Sequence, residues 1–117
     1  MRHRKKKFQM NKETDHRNAL LKNLTTSIIL YERVQTTRRR AKSVQPIVEK
    51  VITIAKKASA REAIRKFKTL LFDENASRKL LEVLKPRYAD RTSGFTRITA
   101  IGTRPGDRAP KVQIELV

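Results

Sequence analysis

Cysteine and tryptophan are absent from this sequence of 117 residues, and glycine occurs only three times. Without cysteine there is no disulfide framework and no cysteine-based zinc site, which fits a reducing compartment. Gly94, Gly102 and Gly106 are too few and too scattered for a glycine-rich phosphate loop, and the last two are better explained as turn residues. No apolar run approaches the roughly 18 residues of a membrane span, and none follows the basic start as in a secretory signal.

Acidic residues are also scarce, since 11 Asp and Glu stand against 29 Lys and Arg, for a formal net charge of +18. This balance excludes an ordinary acidic or neutral enzyme as the first expectation. The surplus charge repels itself, and it therefore predicts a polyanionic partner. Aromatic residues make up only 5%, which argues against anchoring at a membrane surface. A chain of this length can bury one modest core.

The basic residues fall into three clusters with few or no acids among them. A single basic run is as often a solvated face as a binding surface, but three runs on a small chain favour binding to nucleic acid. The clusters are Arg2, Arg4, Lys5, Lys6, Lys7 and Lys12; Arg38, Arg39, Arg40 and Lys42; and Lys85, Arg87, Arg91, Arg97, Arg104, Arg108 and Lys111. We expect residues 1–13 to form a basic RNA-binding arm, disordered when free, and residues 14–117 to form a single α+β domain.

About four helices are predicted from apolar residues that recur every three or four positions. The inward residues should be Leu20 or Leu21, Leu24, Ile28 and Tyr31; Ala41, Val44, Val48, Val51 or Ile52 and Ala55; Ala60, Ile64, Phe67 and Leu71; and Ala76, Leu80 and Val83 or Leu84. The expected N-caps are Thr14 or Asp15, Thr37, Ser59 with Glu62 as its capping-box partner, and Asp73 or Asn75. Pro46 should kink the second helix or mark its first turn.

Alternation with a period of two predicts two half-buried strands near the C-terminus. Their inward residues should be Thr96, Ile98 and Ala100, then Val112, Ile114 and Leu116. A short extended segment is also expected over residues 31–36. The resulting fold class is α+β, a two-layer domain with about four helices against a small mixed sheet of one short strand plus the C-terminal strand pair.

Catalytic and metal-binding groups are sparse. His3 lies in the predicted arm, and His16 lies in the first helical turn, where a local hydrogen bond or a phosphate contact is favoured over catalysis. Phe67, Phe72 and Phe95 are interpreted as core residues and not as a base-stacking platform. We therefore expect neither an enzyme nor a metal site, and no cofactor and no small-molecule substrate.

Several stretches, taken together and in order, resemble the family of protein seventeen of the bacterial large ribosomal subunit. They are Met1-Arg2-His3-Arg4-Lys5, His16-Arg17, Thr36-Thr37 with Ala41-Lys42, Ile52-Thr53-Ile54-Ala55-Lys56, Pro86-Arg87-Tyr88-Ala89-Asp90-Arg91, Gly94-Phe95-Thr96-Arg97-Ile98, Gly106-Asp107-Arg108-Ala109-Pro110 and Ile114-Glu115-Leu116. The sequence departs from the family where Arg38-Arg39-Arg40 and Ser93 stand, which leaves open the start of the second helix and the turn before Gly94. It also departs at Lys6-Lys7-Phe8, which bears on the path of the arm.

The resemblance implies a structural constituent of the large ribosomal subunit that binds ribosomal RNA, supports subunit assembly and neighbours large-subunit protein thirty-two. It implies a location in the ribosome, either in the cytoplasm or in an organellar matrix. From charge and resemblance together, the predicted RNA-contacting residues are Arg2, His3, Arg4, Lys5, Lys6, Lys7, Lys12, His16, Arg17, Arg38, Arg39, Arg40, Lys42, Arg87, Arg91, Arg97, Arg104 and Arg108. The alternatives are a general DNA- or RNA-compacting protein and, from another class, a small nuclease that uses His16.

Overall fold

The computed structural model describes residues 12–117, so the predicted arm lies outside the described residues except for its last two positions. The elements are α1 (Thr14–Tyr31), β1 (Arg33–Thr37), α2 (Arg38–Lys57), α3 (Ala60–Leu70), α4 (Glu74–Lys79), a π-helical turn (Leu80–Leu84), α5 (Lys85–Arg87), β2 (Thr96–Thr103) and β3 (Pro110–Leu116). The α+β fold class is confirmed. None of the helices in residues 12–117 is both long and apolar enough to cross a membrane.

Helix α1 packs on the core with its C-terminal half. The buried residues of this half are Thr25, Thr26, Ile28 and Ile29. Both threonine hydroxyls donate to carbonyl oxygens one turn back, so their burial leaves no unsatisfied polar atom. Two expectations were wrong: the N-cap is Glu13, one residue before Thr14, and Tyr31 is 73% exposed instead of inward. Tyr31 is the last helical residue, where the chain turns away from the core at Glu32.

Helix α2 is the central helix, with a continuous apolar stripe on one face. The expected stripe is confirmed, and it consists of Ala41, Val44, Val48, Val51, Ile52 and Ala55. Thr37 is the N-cap residue, also as expected, although its side chain makes no capping hydrogen bond. The helix begins at Arg38, about two turns before Pro46, so Pro46 does not mark its first turn. Pro46 has no N–H and cannot make the helical backbone hydrogen bond at its position. Burial of the apolar stripe stabilises the helix despite this loss.

Helices α3 and α4 begin at the predicted N-caps. The Ser59 hydroxyl accepts from the Glu62 N–H at 3.4 Å, and the Asp73 carboxylate accepts from the Asn75 N–H at 2.8 Å. In α3, Ala63 and Phe67 are the buried residues, whereas the predicted Ala60 and Ile64 are exposed. Helix α3 packs mainly against α2. Because it has this one main neighbour, the buried face is narrower than the predicted stripe and includes the small Ala63.

The fourth helix changes geometry at its centre. After α4 the chain forms a π-helical turn, in which the Lys85 N–H donates to the carbonyl of Leu80, five residues back. This turn keeps both Leu80 and Leu84 buried, and it leaves Val83 exposed. The sequence had left Val83 and Leu84 as alternatives, and Leu84 is the inward residue. The short α5 then ends before Tyr88, whose hydroxyl donates to the carbonyl of Val117 at 2.9 Å.

The sheet has the order β1-β3-β2, and both pairings are antiparallel. The predicted strand pair and short strand are present, but the expectation of a mixed sheet was wrong, since β1 runs opposite to β3. Val112 and Ile114 lie on the buried face, as predicted. Ala100 is exposed, contrary to prediction, although it pairs in regular register with Val112, and an irregularity follows it between Ala100 and Gly102.

Of the three phenylalanines predicted to lie in the core, two are buried and one is exposed. Phe67 and Phe95 are buried, and the Phe95 ring lies 5.1 Å from that of Tyr88. Phe72, in contrast, is 57% exposed. It lies in the connection between α3 and α4, where the preceding Leu71 takes the core position instead.

Candidate RNA interface

The first turn of α2 carries the second predicted basic cluster. Arg38, Arg39, Arg40 and Lys42 are all exposed, and the first turn of α2 contains no acidic residue. Because the N-terminus of a helix already carries partial positive charge, the basic side chains of this turn add to a positive potential that attracts anions. Arginine also grips a phosphate through two parallel hydrogen bonds. This turn therefore has the chemistry of a phosphate-binding surface.

A cleft of about 210 Å³ lies between this turn and helix α1. Arg40 and Thr36 line it from one side, and Asn23 and Ser27 line it from α1. The hydroxyl and amide groups can donate to and accept from a sugar–phosphate backbone. The first turn of α2 thus lies beside the middle of α1.

The N-terminal turns of α1 carry the predicted residues His16 and Arg17. His16 is exposed and Arg17 half-buried, and they lie about one turn before Leu20, which also lines the cleft. The fold therefore brings two predicted sets, one on α1 and one on α2, to one side of the domain. Lys12 is half-buried at the start of the described chain, whereas Arg2, His3, Arg4, Lys5, Lys6 and Lys7 lie outside the described residues.

Arg87, from the third cluster, forms an ion pair with an acid of the same chain. Its guanidinium donates two hydrogen bonds to the Glu32 carboxylate, at 2.9 and 3.0 Å. Lys79 approaches the same carboxylate at 2.9 Å and also donates to the carbonyl of Leu30. The hydrogen bonds from Arg87 and then Lys79 lower the pKa of Glu32 to about 2. This network ties the end of the fourth helix to the end of α1.

The backbone at Glu32 is unfavourable for a residue with a side chain, and the ion pairs of Glu32 compensate for this. Glu32 is the C-cap of α1 and adopts a left-handed conformation, with φ at +62°. Glycine is the usual residue in this position, and a side chain there costs on the order of 1 kcal/mol. The two cations that hold the Glu32 carboxylate offset that cost. Arg87 therefore has a structural role in the described fold.

Arg91 is also used locally, in the turn that leads into β2. Its guanidinium donates to the carbonyl of Gly94 at 2.9 Å, and its own carbonyl accepts from the ammonium of Lys56. Gly94 has φ at +69°, whereas Ser93 is not among the residues of positive φ in the described chain. The turn that the sequence left open therefore forms with one glycine.

Glu49 fixes the start of β2 and was not singled out from the sequence. Its carboxylate accepts from the N–H of Phe95 at 3.2 Å and from the N–H and hydroxyl of Thr96 at 3.0 and 2.7 Å. Gln45 donates to the same hydroxyl. An isolated acid in the centre of α2 gave no signal for this role, because its partners are more than 40 positions away in the sequence.

The outer face of the sheet presents a row of three charged residues. Arg33 of β1 and Arg97 of β2 flank Glu115 of β3, at 3.7 and 3.8 Å from its carboxylate oxygens. Both arginine side chains remain largely exposed, at 69% and 62%. Arg97 was predicted and Arg33 was not. The strand alternation of Arg33, Val34 and Gln35 was the available signal, since it places Arg33 on the outer face.

The loop between β2 and β3 is exposed and contains Arg104 and Arg108. The guanidinium of Arg104 binds the Asp107 carboxylate, with Nε to Oδ1 at 3.1 Å. The hydrogen bonds from Arg104 and from the Ala109 N–H lower the pKa of Asp107 to about 2. Arg108 is exposed and has φ at +53°. Of these two predicted residues, Arg104 is thus held by an acid of its own loop.

The exposed face of α3 is a basic surface that sequence reasoning missed. Arg61, Arg65 and Lys68 recur at i, i+4 and i+7, opposite the buried Ala63 and Phe67. Residues 49–82 are closer to charge balance than the rest of the chain, with five acids against nine Lys and Arg, and the face was therefore not singled out. In the described residues, no group of three or more His, Asp or Glu side chains could hold a metal ion.

The fold and these surfaces define a small basic α+β protein with the chemistry to bind a polyanion. The family model of "Ribosomal protein L17" matches residues 20–117. Large ribosomal subunit protein bL17 of Desulforudis audaxviator is 48% identical over 104 residues, which cover 89% of this chain and 92% of that protein. The bL17 proteins of Rhodopseudomonas palustris and Koribacter versatilis are 44% and 43% identical, cover all of this chain, and are covered to 86% and 72%.

The chain therefore belongs to the ribosomal protein L17 family. It is a structural constituent of the large ribosomal subunit and not an enzyme, as the sequence analysis expected. Its partners are ribosomal RNA and ribosomal proteins.

Proposed function

We propose that this chain binds ribosomal RNA by neutralising phosphates with the surface formed by the first turn of α2 and the N-terminal turns of α1. The observation that supports this most directly is the exposed Arg38, Arg39, Arg40 and Lys42 in a helical turn without acids. A protein bound in this way positions RNA by backbone contact and shape, and it does not read base sequence. Close packing of RNA helices in the subunit then becomes possible, because the phosphate repulsion is reduced.

The test of this mode is the salt dependence of binding to a large-subunit RNA fragment. If about eight phosphates are neutralised, affinity falls by roughly three to five powers of ten between 50 and 200 mM salt. Duplex DNA of equal length serves as the competitor. We expect the ribosomal RNA fragment to compete more strongly, whereas parity would favour the alternative of a general DNA- or RNA-compacting protein. A flat salt response would contradict phosphate neutralisation altogether.

Residues 1–13 are proposed as an RNA-binding arm attached to a domain that comprises residues 14–117. Six of the first 12 residues are Lys or Arg and none is acidic, so this segment adds counter-charge to the surface on α1 and α2. Deletion of residues 1–12 should weaken RNA binding and leave the helical circular dichroism signal nearly unchanged. Loss of that signal would contradict the division into arm and domain.

Large-subunit protein thirty-two is the protein neighbour that we propose from the family resemblance. Chemical crosslinking of intact large subunits, followed by mass spectrometry, tests this contact. We expect crosslinks between the two proteins at lysines of this chain. If the crosslinks reach other ribosomal proteins only, the proposed neighbour is wrong, although the constituent role is unaffected.

A further inference from the structure

An open groove separates the C-terminal half of α1 from the connection between α3 and α4. Its volume is about 540 Å³, and we name it the Tyr31–Phe72 groove after the two aromatic side chains that line it. Both rings are exposed, at 73% and 57%, on the same side of the domain. Exposed aromatic residues beside a concave surface are typical of the anchoring positions of protein interfaces.

The groove is held in shape by the backbone around it. The Phe72 N–H donates to the hydroxyl of the buried Thr26 at 3.1 Å, which fixes the connection between α3 and α4 on helix α1. The Asp73 carboxylate then caps α4. The segment that carries the exposed Phe72 ring is therefore already fixed. Little conformational entropy of this surface is lost when a partner covers it.

The charge of the groove is opposite to that of the chain. Lys and Arg make up 29 of the 117 residues, yet among residues 12–117 the charged residues that line the groove are Asp73 and Glu74 only. These two carboxylates repel phosphate, and they attract an ammonium or a guanidinium. RNA is therefore a poor occupant of this groove.

The rings add a second reason to expect a cationic occupant. The ammonium of Lys22 lies 4.4 Å from the centre of the Phe72 ring, so this ring already attracts a cation of its own chain, and a partner's cation would use the rest of the aromatic surface. Phenol and phenyl faces attract arginine and lysine side chains, and the attraction grows as the pair loses water. Carboxylates next to aromatic rings thus provide both charge and a stacking surface for the same side chain.

We propose that the Tyr31–Phe72 groove binds a Lys- or Arg-bearing segment of a neighbouring protein of the large subunit. This inference depends on the proposed function, because it requires the chain to be in that particle. It assigns RNA contact and protein contact to different surfaces of one small domain. The surface on α1 and α2 contacts RNA, and the groove receives a basic polypeptide.

The experiment is photocrosslinking in large subunits assembled with the full chain. Tyr31 is replaced by p-benzoyl-phenylalanine, and the purified subunits are irradiated and analysed by mass spectrometry. Ile101, which is exposed on β2 outside the groove, carries the same photocrosslinker as a control. We expect position 31 to crosslink to a ribosomal protein within a segment that contains Lys or Arg.

A charge test separates attraction to the acids from chance proximity. Asp73→Asn with Glu74→Gln should lower the crosslinking yield at position 31 by at least about threefold, since the cation loses its counter-charge. Asn at position 73 retains an N-cap group. Glu82→Gln, which removes one negative charge, is the control, because Glu82 is exposed farther along the same helix and does not line the groove. We expect this variant to crosslink as well as the parent chain.

The outcomes distinguish the two proposals. If the chain does not travel with large subunits, the proposed function fails and this inference fails with it. If the chain is incorporated but position 31 crosslinks to RNA, to residues 1–11 of the same chain, to a second copy or to a protein segment without basic residues, only the groove inference is overturned. Absence of any crosslink, or an equal yield from the Asp73/Glu74 and Glu82 variants, also overturns it.

Discussion

The first turn of α2 and the segment from Arg87 to Arg104 look alike in the sequence but differ in the structure. In the first turn of α2 the basic residues are exposed without an acid in the turn. In the later segment, Arg87 binds Glu32, Arg91 binds the carbonyl of Gly94, Arg97 lies beside Glu115, and Arg104 binds Asp107. A cluster of arginines thus has two uses in one chain. One set lies on an exposed helical turn and can bind an external anion, and the other partly serves the fold.

The largest expected effect is the loss of RNA affinity when the α2 turn is neutralised. Replacing Arg38, Arg39 and Arg40 together by Gln should lower affinity by about 100-fold near physiological salt and reduce the slope of log K against log salt by about 2 to 3. The cost to helix stability should be small, because the removal of cations from the positive end of its dipole offsets local contacts that are lost. Titrations of an RNA fragment at several salt concentrations, with circular dichroism melts, measure both quantities.

The matched control for that variant removes the same charge elsewhere. Lys50, Lys57 and Arg78 are exposed and lie outside the predicted clusters, so their joint replacement by Gln changes the net charge equally. We expect a much smaller loss of affinity from this control. Equal losses in the two triple variants would mean that overall charge, and not the α2 turn, determines binding.

For Arg87 we expect the opposite result to that for the α2 turn, namely a loss of stability with little change in RNA affinity. Arg87→Gln removes the two hydrogen bonds to Glu32 and should lower the free energy of unfolding by about 1 kcal/mol, a modest figure because the pair is partly exposed. RNA affinity should change by less than about twofold at temperatures where the variant is folded. Urea unfolding and the same RNA titration provide the two measurements. A large loss of affinity with unchanged stability would place Arg87 on RNA.

The third prediction uses the depressed pKa of Glu32. A carboxylate with a pKa of about 2 in the folded state and 4.5 as its ordinary value stabilises the fold above about pH 5, and this stabilisation is lost as pH falls toward 2. Glu32→Gly should remove that component of the acid sensitivity. Its net effect at pH 7 should be small, since glycine relieves the left-handed backbone while the ion pair is lost. Urea unfolding at several pH values compares the parent chain with the variant.

Local signals predicted the framework of this molecule. The stripe of α2, the N-caps Ser59 and Asp73 and the alternation around Ile114 each depend on residues a few positions apart, and each is confirmed. The collinear motifs identified the family, because they combine positions from the whole chain. The sequence also predicted the basic turn of α2. Three consecutive arginines are too costly to bury, so they are expected at the surface in any fold.

The failures have a common physical cause, which is tertiary packing. Arg87 meets Glu32 across 55 positions of sequence, and no local pattern reveals this pair. Phe72 follows a helical stripe, but Leu71 fills the core and turns the ring outward. The basic face of α3 was hidden because regional charge was counted instead of charge on one face. Burial and pairing are properties of the fold, so they limit what charge counting can assign.

The smallest expected effect comes from the outer face of the sheet, where arginines are exposed and also lie beside an acid. Arg33 and Arg97 are largely exposed, but Glu115 lies between them and neutralises part of their charge. Glu115→Gln should therefore raise RNA affinity by about twofold, because both guanidiniums become available to phosphate. The distances of 3.7 and 3.8 Å exceed those of good hydrogen bonds, so stability should change by only a few tenths of a kcal/mol. If affinity stays the same in the RNA titration while the α2 variant loses binding, the outer sheet face lies away from RNA.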